Sequence, residues 1–146
     1  MEGLRSKLST LWIVATLNYL YCDVVTLMDP ALLKQFLAGD IGSVHISQGF
    51  LLGAGILVEI PIAMVLLSRI LGDRPNRAAN IVAGTTMTTV QVLSLVVKTP
   101  ALYYIFFSVI EIACTSAIVL YAWKSRHKER APSSKIEDLH SASVAR

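Results

Sequence analysis

The stretch GFLLGAGILVEIPIAMVLLSRIL, residues 49–71, is the clearest indication of how this chain folds. It is almost entirely apolar over a length that matches the roughly 20 residues an α-helix needs to cross a bilayer. Its charged residues are Glu59, near the middle, and Arg69, near the end. We therefore predict that this stretch is a transmembrane helix.

Three further stretches share this character, at residues 8–28, 78–97 and 101–123. Of the 146 residues, 54% are hydrophobic and only 16% are charged, and the mean hydropathy is +0.60. This composition argues against a soluble domain and favours a membrane protein. The sequence thus predicts an all-α fold in which residues 1–124 form one domain, a four-helix transmembrane bundle.

The basic residues are distributed unevenly between the two sides of this bundle. With the N-terminus placed inside, the outer loops carry Lys34 and Lys98, and the inner segments carry the other eleven of the 13 Lys and Arg residues. Because short loops rich in Lys and Arg stay in the cytoplasm, we predict a cell-membrane protein with both termini cytoplasmic. The net charge of +3 then reflects topology, and we expect no nucleic-acid partner.

Two segments lie outside the predicted spans. The first outer loop opens with Asp29 and Pro30, a good helix start, and continues with Leu and Phe at helical spacing up to Gly39. We predict a short amphipathic helix there, lying on the membrane face or packed over the mouth of the bundle. Residues 125–146 are polar with mixed charge and are predicted to form a disordered, basic cytoplasmic tail.

Three carboxylic acids fall inside the predicted spans. Glu59 and Glu111 lie near the middle of the second and fourth spans, and Asp23 lies in the outer third of the first. A charge in the bilayer interior is costly unless it is paired, hydrated or neutralised. We therefore predict that all three face the interior of the bundle, where burial favours the protonated carboxyl.

Helical spacing places one polar stripe on each span, and four such stripes meet only around a shared centre. The stripe of the third span includes Asn80 and Gln91, and that of the fourth includes Tyr104 and Glu111. Asn18 lies off the stripe of the first span, so its partner is expected elsewhere.

Pro61 lies two residues after Glu59. Proline has no amide hydrogen, so the carbonyl of Leu57 loses its helical partner. We therefore predict a helix kink or a hydrated pocket within one turn of Glu59.

Three functions remain open for these polar groups. The first is a small carrier or ligand-binding protein in which Glu59 and Glu111 bind a proton or a cation, with a lining drawn from Asp23, Gln91, Asn80 and Tyr104. The second is a non-catalytic accessory or structural protein whose polar side chains hold helices together. The third is a membrane-embedded enzyme that uses the glutamates as acid and base on a lipid or quinone.

No metal-binding or phosphate-binding motif occurs in the sequence, so we expect neither a metal site nor a cofactor. The expected partners are the lipid bilayer and a small-molecule or proton ligand. Assembly into a homo-oligomer is left open.

Several segments of the chain are similar to a known family. They are LSTLWI (8–13), NYLYCD (18–23), MDP (28–30), QGFLLGAGILVEIPIAMVLLSR (48–69), NRAANI (76–81) and TPALYYIFFSVIEIACT (99–115). Together they resemble an uncharacterised bacterial family of small four-helix integral membrane proteins, a domain of unknown function that is loosely DoxX-like. The resemblance covers roughly residues 7–124 and implies the four-helix fold, but it implies no activity.

Overall fold

The computed structural model describes residues 2–41, 44–97 and 100–129 of the chain. Their elements, in chain order, are α1 (Glu2–Leu27), α2 (Pro30–Ala38), β1 (Asp40–Ile41), β2 (Val44–His45), α3 (Gln48–Ile70), α4 (Asp73–Val97) and α5 (Leu102–Glu129). The prediction of a helical fold with four long helices is confirmed.

Three of the long helices extend beyond their predicted apolar windows. The added residues are mainly polar and lie at the start of α1, the start of α4 and the end of α5. Hydropathy marks the part of a helix that lipid solvates, whereas the backbone hydrogen bonds continue into the polar flank. The first five residues of the predicted tail, 125–129, are therefore helical, and the remainder of that prediction lies outside the described residues.

All four long helices are long and apolar enough to cross a membrane. In their most apolar windows only 11% to 28% of the residues are buried inside the protein. Large apolar side chains such as Leu20, Ile56, Val82 and Phe106 lie on the outer surface instead. A soluble monomer rarely exposes such continuous apolar area, so these helices indicate a membrane protein.

The long helices pack side by side in the order α3, α1, α5 and α4, and α3 also meets α4 near the short turn at residues 71–72. We call this end of the bundle the turn end, and the opposite end, where α2 lies, the α2 end. Arg5 near the start of α1 forms an ion pair with Asp73 at the start of α4, with 2.7 Å between Nη2 and Oδ1. Because Leu4 and Ser125 line one small pocket there, α1 begins and α5 finishes at the turn end.

The segment between α1 and α3 contains the predicted short helix. The Asp29 side chain accepts hydrogen bonds from the amides of Ala31 and Leu32, and Gly39 closes α2 with a left-handed φ of 82°. Beyond it, β1 and β2 pair as a two-residue antiparallel ladder that the sequence did not predict. The existence of the helix is confirmed, and its amphipathic contact with the membrane stays a prediction.

Gly84 on α4 allows close contact with α5. A Cβ added there would lie 2.8 Å from Cγ2 of Val119 and 3.3 Å from the carbonyl oxygen of Thr115. We expect Gly84→Ala to lower the free energy of unfolding by about 1–3 kcal/mol, the usual cost of overpacking. The measurement is unfolding by sodium dodecyl sulfate, followed by helical circular dichroism.

Gly53→Ala is the matched control for this prediction, because no described atom lies within 4 Å of the added Cβ. Alanine also favours helix over glycine, so this variant should be neutral or slightly more stable than wild type. Equal destabilisation of both variants would contradict the close α4–α5 contact.

Candidate functional site

The polar stripes of α4 and α5 face each other through most of the bundle. On α5, Ser108, Glu111 and Thr115 are buried and Tyr104 is half-buried, as their spacing predicted. Three hydrogen bonds join the stripes, and they are Ser94 with Tyr104 (2.7 Å), Gln91 with Ser108 (2.7 Å) and Thr88 with Thr115 (2.8 Å). The predicted interior positions of Gln91, Glu111 and Tyr104 are confirmed.

Glu111 is the carboxyl on the α5 stripe, and it is buried, with 1% of its surface exposed. Its Oε1 accepts a hydrogen bond of 3.1 Å from Nδ2 of Asn18. Within the described part of the chain, its Oε2 and the buried hydroxyl of Tyr19 have no hydrogen-bond partner. Buried polar atoms normally have partners, so the free capacity of these two groups marks a place where a proton or a ligand can be bound.

Asn18 joins α1 to this site. Its Nδ2 donates both to Glu111 and, at 3.0 Å, to the backbone carbonyl of Phe107. The sequence left Asn18 off the polar stripe because a stripe assumes that each helix has a single contact face. α1 packs against both α3 and α5, and Asn18 belongs to its α5 side.

Asn80 belongs to a second polar cluster at the turn end. Its Oδ1 accepts hydrogen bonds from Nε1 of Trp12 (2.8 Å) and from Oγ of Ser68 (3.2 Å). Its Nδ2 donates to the backbone carbonyl of Asn76 at 2.9 Å. These bonds tie α1, α3 and α4 together, so the structure places Asn80 in a helix-joining network apart from Glu111.

The prediction that Glu59 faces the interior is wrong. Glu59 is exposed, and the buried face of α3 consists of Pro61, Met64 and Ser68. At 100° per residue, Glu59 lies roughly opposite these three side chains. Because α3 is apolar on nearly every side, its polar stripe is a weak guide to its orientation, and the prediction depended mainly on the cost of a membrane charge. On insertion scales that cost is about 3 kcal/mol at mid-bilayer.

Two neighbouring predictions have different outcomes. α3 continues through Pro61 to Ile70, and the predicted kink stays a prediction. Asp23 is exposed near the α2 end of α1, so its predicted interior position is also wrong. Position in the outer third of a span allows a carboxyl to reach the interface, and burial is not required there.

A cavity of about 590 Å³ lies at the α2 end. Its walls come from α1, α2, α4 and α5, and the chain before α5 completes them. The lining side chains are mainly apolar and aromatic, and they are those of Thr26, Asp29, Ala31, Leu32, Phe36, Ile41, Leu93, Ser94, Pro100, Ala101, Tyr103 and Tyr104. Its size falls within the range of small-molecule pockets in proteins.

Ser94 and Tyr104 belong both to the cavity lining and to the polar stripes of α4 and α5. Farther along the two stripes lies the Gln91–Ser108 hydrogen bond, and Glu111 follows seven residues along α5 from Tyr104. At 1.5 Å per residue along the helix, Glu111 lies about 10 Å from Tyr104, which lines the cavity. The site therefore combines a mainly apolar cavity with a buried carboxyl deeper in the bundle.

Sequence reasoning missed this cavity and the role of Ser94. The apolar spacing of α2 was visible in the sequence, and Ser94 lies one turn beyond Gln91. A cavity, however, depends on how far α2 stands from the helix ends, and no spacing rule supplies that distance.

A family described as "Family of unknown function (DUF6326)" matches residues 2–132. The chain belongs to this family. DUF6326 membership agrees with the resemblance to an uncharacterised family, and the further likeness to DoxX-like proteins is not confirmed. No curated protein and no solved structure matches the chain.

Proposed function

We propose that this protein is a multi-pass protein of the cell membrane that binds a small lipophilic cation in the α2-end cavity and exchanges it for a proton on Glu111. The observation that carries the proposal is the buried carboxyl of Glu111, which has an unpartnered oxygen beneath a ligand-sized cavity. A carrier needs both a place for the ligand and a group that couples its binding to an ion.

The charge distribution supports a definite orientation. Of the nine Lys and Arg residues in the described part of the chain, eight lie towards the turn end, where α1 begins and α5 finishes. By the positive-inside rule the turn end and both termini face the cytoplasm, and the cavity opens towards the other side.

The chemistry of the cavity favours a cation. Asp29 is the only charged side chain among the described residues that line it. Phe36, Tyr103 and Tyr104 add aromatic rings, whose faces attract positive charge. Apolar walls suit the lipophilic body of such a ligand.

Electrostatics can link the cavity to Glu111. Two unit charges about 10 Å apart interact by about 1.7 kcal/mol at an effective dielectric constant of 20. Because a cation in the cavity lies at least that far from Glu111, an ionised Glu111 raises its affinity by up to about tenfold over a protonated one. Cation and proton compete as a result, which is the coupling that an exchanger needs.

The enzyme alternative requires Glu59 and Glu111 to act together as acid and base on one substrate. Glu111 is buried between α1, α4 and α5, whereas Glu59 is exposed on the outer side of α3. Two carboxyls so placed cannot act on one bond of a lipid or quinone.

Filling the cavity tests the binding site. We expect Ala31→Trp to weaken saturable binding of tetraphenylphosphonium to the purified protein by at least tenfold, because the indole occupies cavity volume. Equilibrium dialysis in detergent measures this binding.

Ala38→Trp is the matched control, since Ala38 is the exposed last residue of the same helix and does not line the cavity. It should bind the cation as wild type does. Equal binding by wild type and Ala31→Trp, or no saturable binding by wild type, would exclude the cavity as the cation site.

A further inference from the structure

Glu59 is the central residue of α3 and is exposed on the outward face of that helix. Eleven residues, or about 16 Å of helix, separate it from either end, which is farther than a glutamate side chain can reach. The span around it is the most apolar of the four, with a mean hydropathy of 2.4. Inside a single chain, this carboxyl therefore faces lipid at the middle of the membrane.

The residues one turn away on the same face offer Glu59 no polar contact. Gly55 precedes it by four residues and Ala63 follows it by four, and the flanking Ile56 and Ile62 are exposed. A lipid-facing carboxyl at this depth is strongly unfavourable, so a polar group from outside the chain is needed to cover it.

The glycines of α3 provide a second, independent observation. Gly53 and Gly55 have no described atom within 4 Å of an added Cβ, and Gly49 meets only the side chain of Ser47. On α4, by contrast, Gly84 lies where α5 approaches closely. Glycine weakens a helix unless close packing uses its small size, and of these three residues Gly55 lies within about 40° of Glu59 around the helix, so it indicates a helix that approaches the Glu59 face from outside the chain.

We propose that α3 packs against α3 of a second copy of this chain, so that the two Glu59 carboxyls meet at the two-fold axis. A protonated carboxyl both donates and accepts hydrogen bonds, so glutamate is complementary to itself. A two-fold interface brings the same residue from both copies together. Because Glu59 is the central residue of its span, the two carboxyls also lie at the same depth.

A different membrane protein would have to supply its own polar group at this depth, whereas a second copy supplies it by symmetry. Gly55 and Ala63, one turn to either side, let the two backbones come close enough for the carboxyls to bond. The inference does not depend on cation binding, because the α3 face lies on the opposite side of that helix from the bundle interior.

Subunit counting by single-molecule photobleaching in lipid vesicles tests the proposal over a range of protein-to-lipid ratios. Wild type should be dimeric at ratios where Glu59→Leu, which cannot form the hydrogen bond, is largely monomeric, with dimer affinity lowered about tenfold. Glu59→Gln retains a donor and an acceptor and should stay dimeric.

Gly55→Leu blocks close approach of the two helices and should also give monomers, while Ala113→Leu introduces the same side chain on the exposed face of α5 and should not. Each variant changes a residue exposed in the single chain, and unchanged helical circular dichroism verifies its fold. A monomeric wild type at every ratio would overturn the proposal. So would dimers that Glu59→Leu and Gly55→Leu leave unaffected.

Discussion

Replacing Trp12 by alanine is expected to lower the free energy of unfolding by about 3–5 kcal/mol, the usual cost of removing a buried aromatic side chain. Trp12 is fully buried in the main core cluster, among Leu8, Met64 and Ile118. It also donates the 2.8 Å hydrogen bond to Oδ1 of Asn80. The variant therefore loses both packing and a link between α1 and α4. Unfolding by sodium dodecyl sulfate, followed by helical circular dichroism, measures the change.

Two further variants separate these contributions. Trp12→Phe keeps most of the aromatic volume and loses the hydrogen bond, so it should cost about 1–2 kcal/mol. Tyr21→Ala removes an aromatic side chain that is 60% exposed on the same helix and should have little effect. A loss for Trp12→Ala no larger than that for Tyr21→Ala would show that the turn-end core is not packed as described.

The affinity for tetraphenylphosphonium should rise with pH in wild type and be independent of pH in Glu111→Gln. At low pH Glu111 is protonated and neutral, and at high pH its negative charge attracts the cation. A charge separation of about 10 Å or more predicts a difference of up to about tenfold between the two limits. Dialysis at several pH values between about 5 and 9 measures it.

Glu111→Gln provides the control within the same site, because glutamine keeps an acceptor for Asn18 but carries no charge. Its affinity should match the low-pH limit of wild type at every pH. The same pH dependence in both proteins would show that the titrating group is not Glu111.

The sequence predicted the helices and the α4–α5 stripes well, for one physical reason. Polar groups at spacings of three and four residues in an otherwise apolar helix must share a face, and that face is most stable away from lipid. Tyr104, Ser108, Glu111 and Thr115 follow this rule on α5. The cap at Asp29 and the turn at Gly39 were predicted equally well, because both are local interactions.

This rule does not predict the face of α3 on which Glu59 lies. A single carboxyl on an apolar helix defines only a weak stripe, and the cost of burying its charge in lipid can be relieved inside the bundle, by protonation or by another chain. The sequence predicted that this carboxyl faces the interior of the bundle, and the structure places Glu59 on the opposite face of α3. The cavity could not be predicted from the sequence either, because its volume depends on the distance between α2 and the ends of three other helices.

Proton release on cation binding is the most direct test of exchange on Glu111. Purified protein in weakly buffered detergent is mixed with tetraphenylphosphonium, and a pH-sensitive dye records the protons that enter solution. The account predicts that wild type releases protons as the cation binds, whereas Glu111→Gln binds the cation and releases none. Cation binding to wild type without proton release, or equal release by Glu111→Gln, would contradict exchange on Glu111.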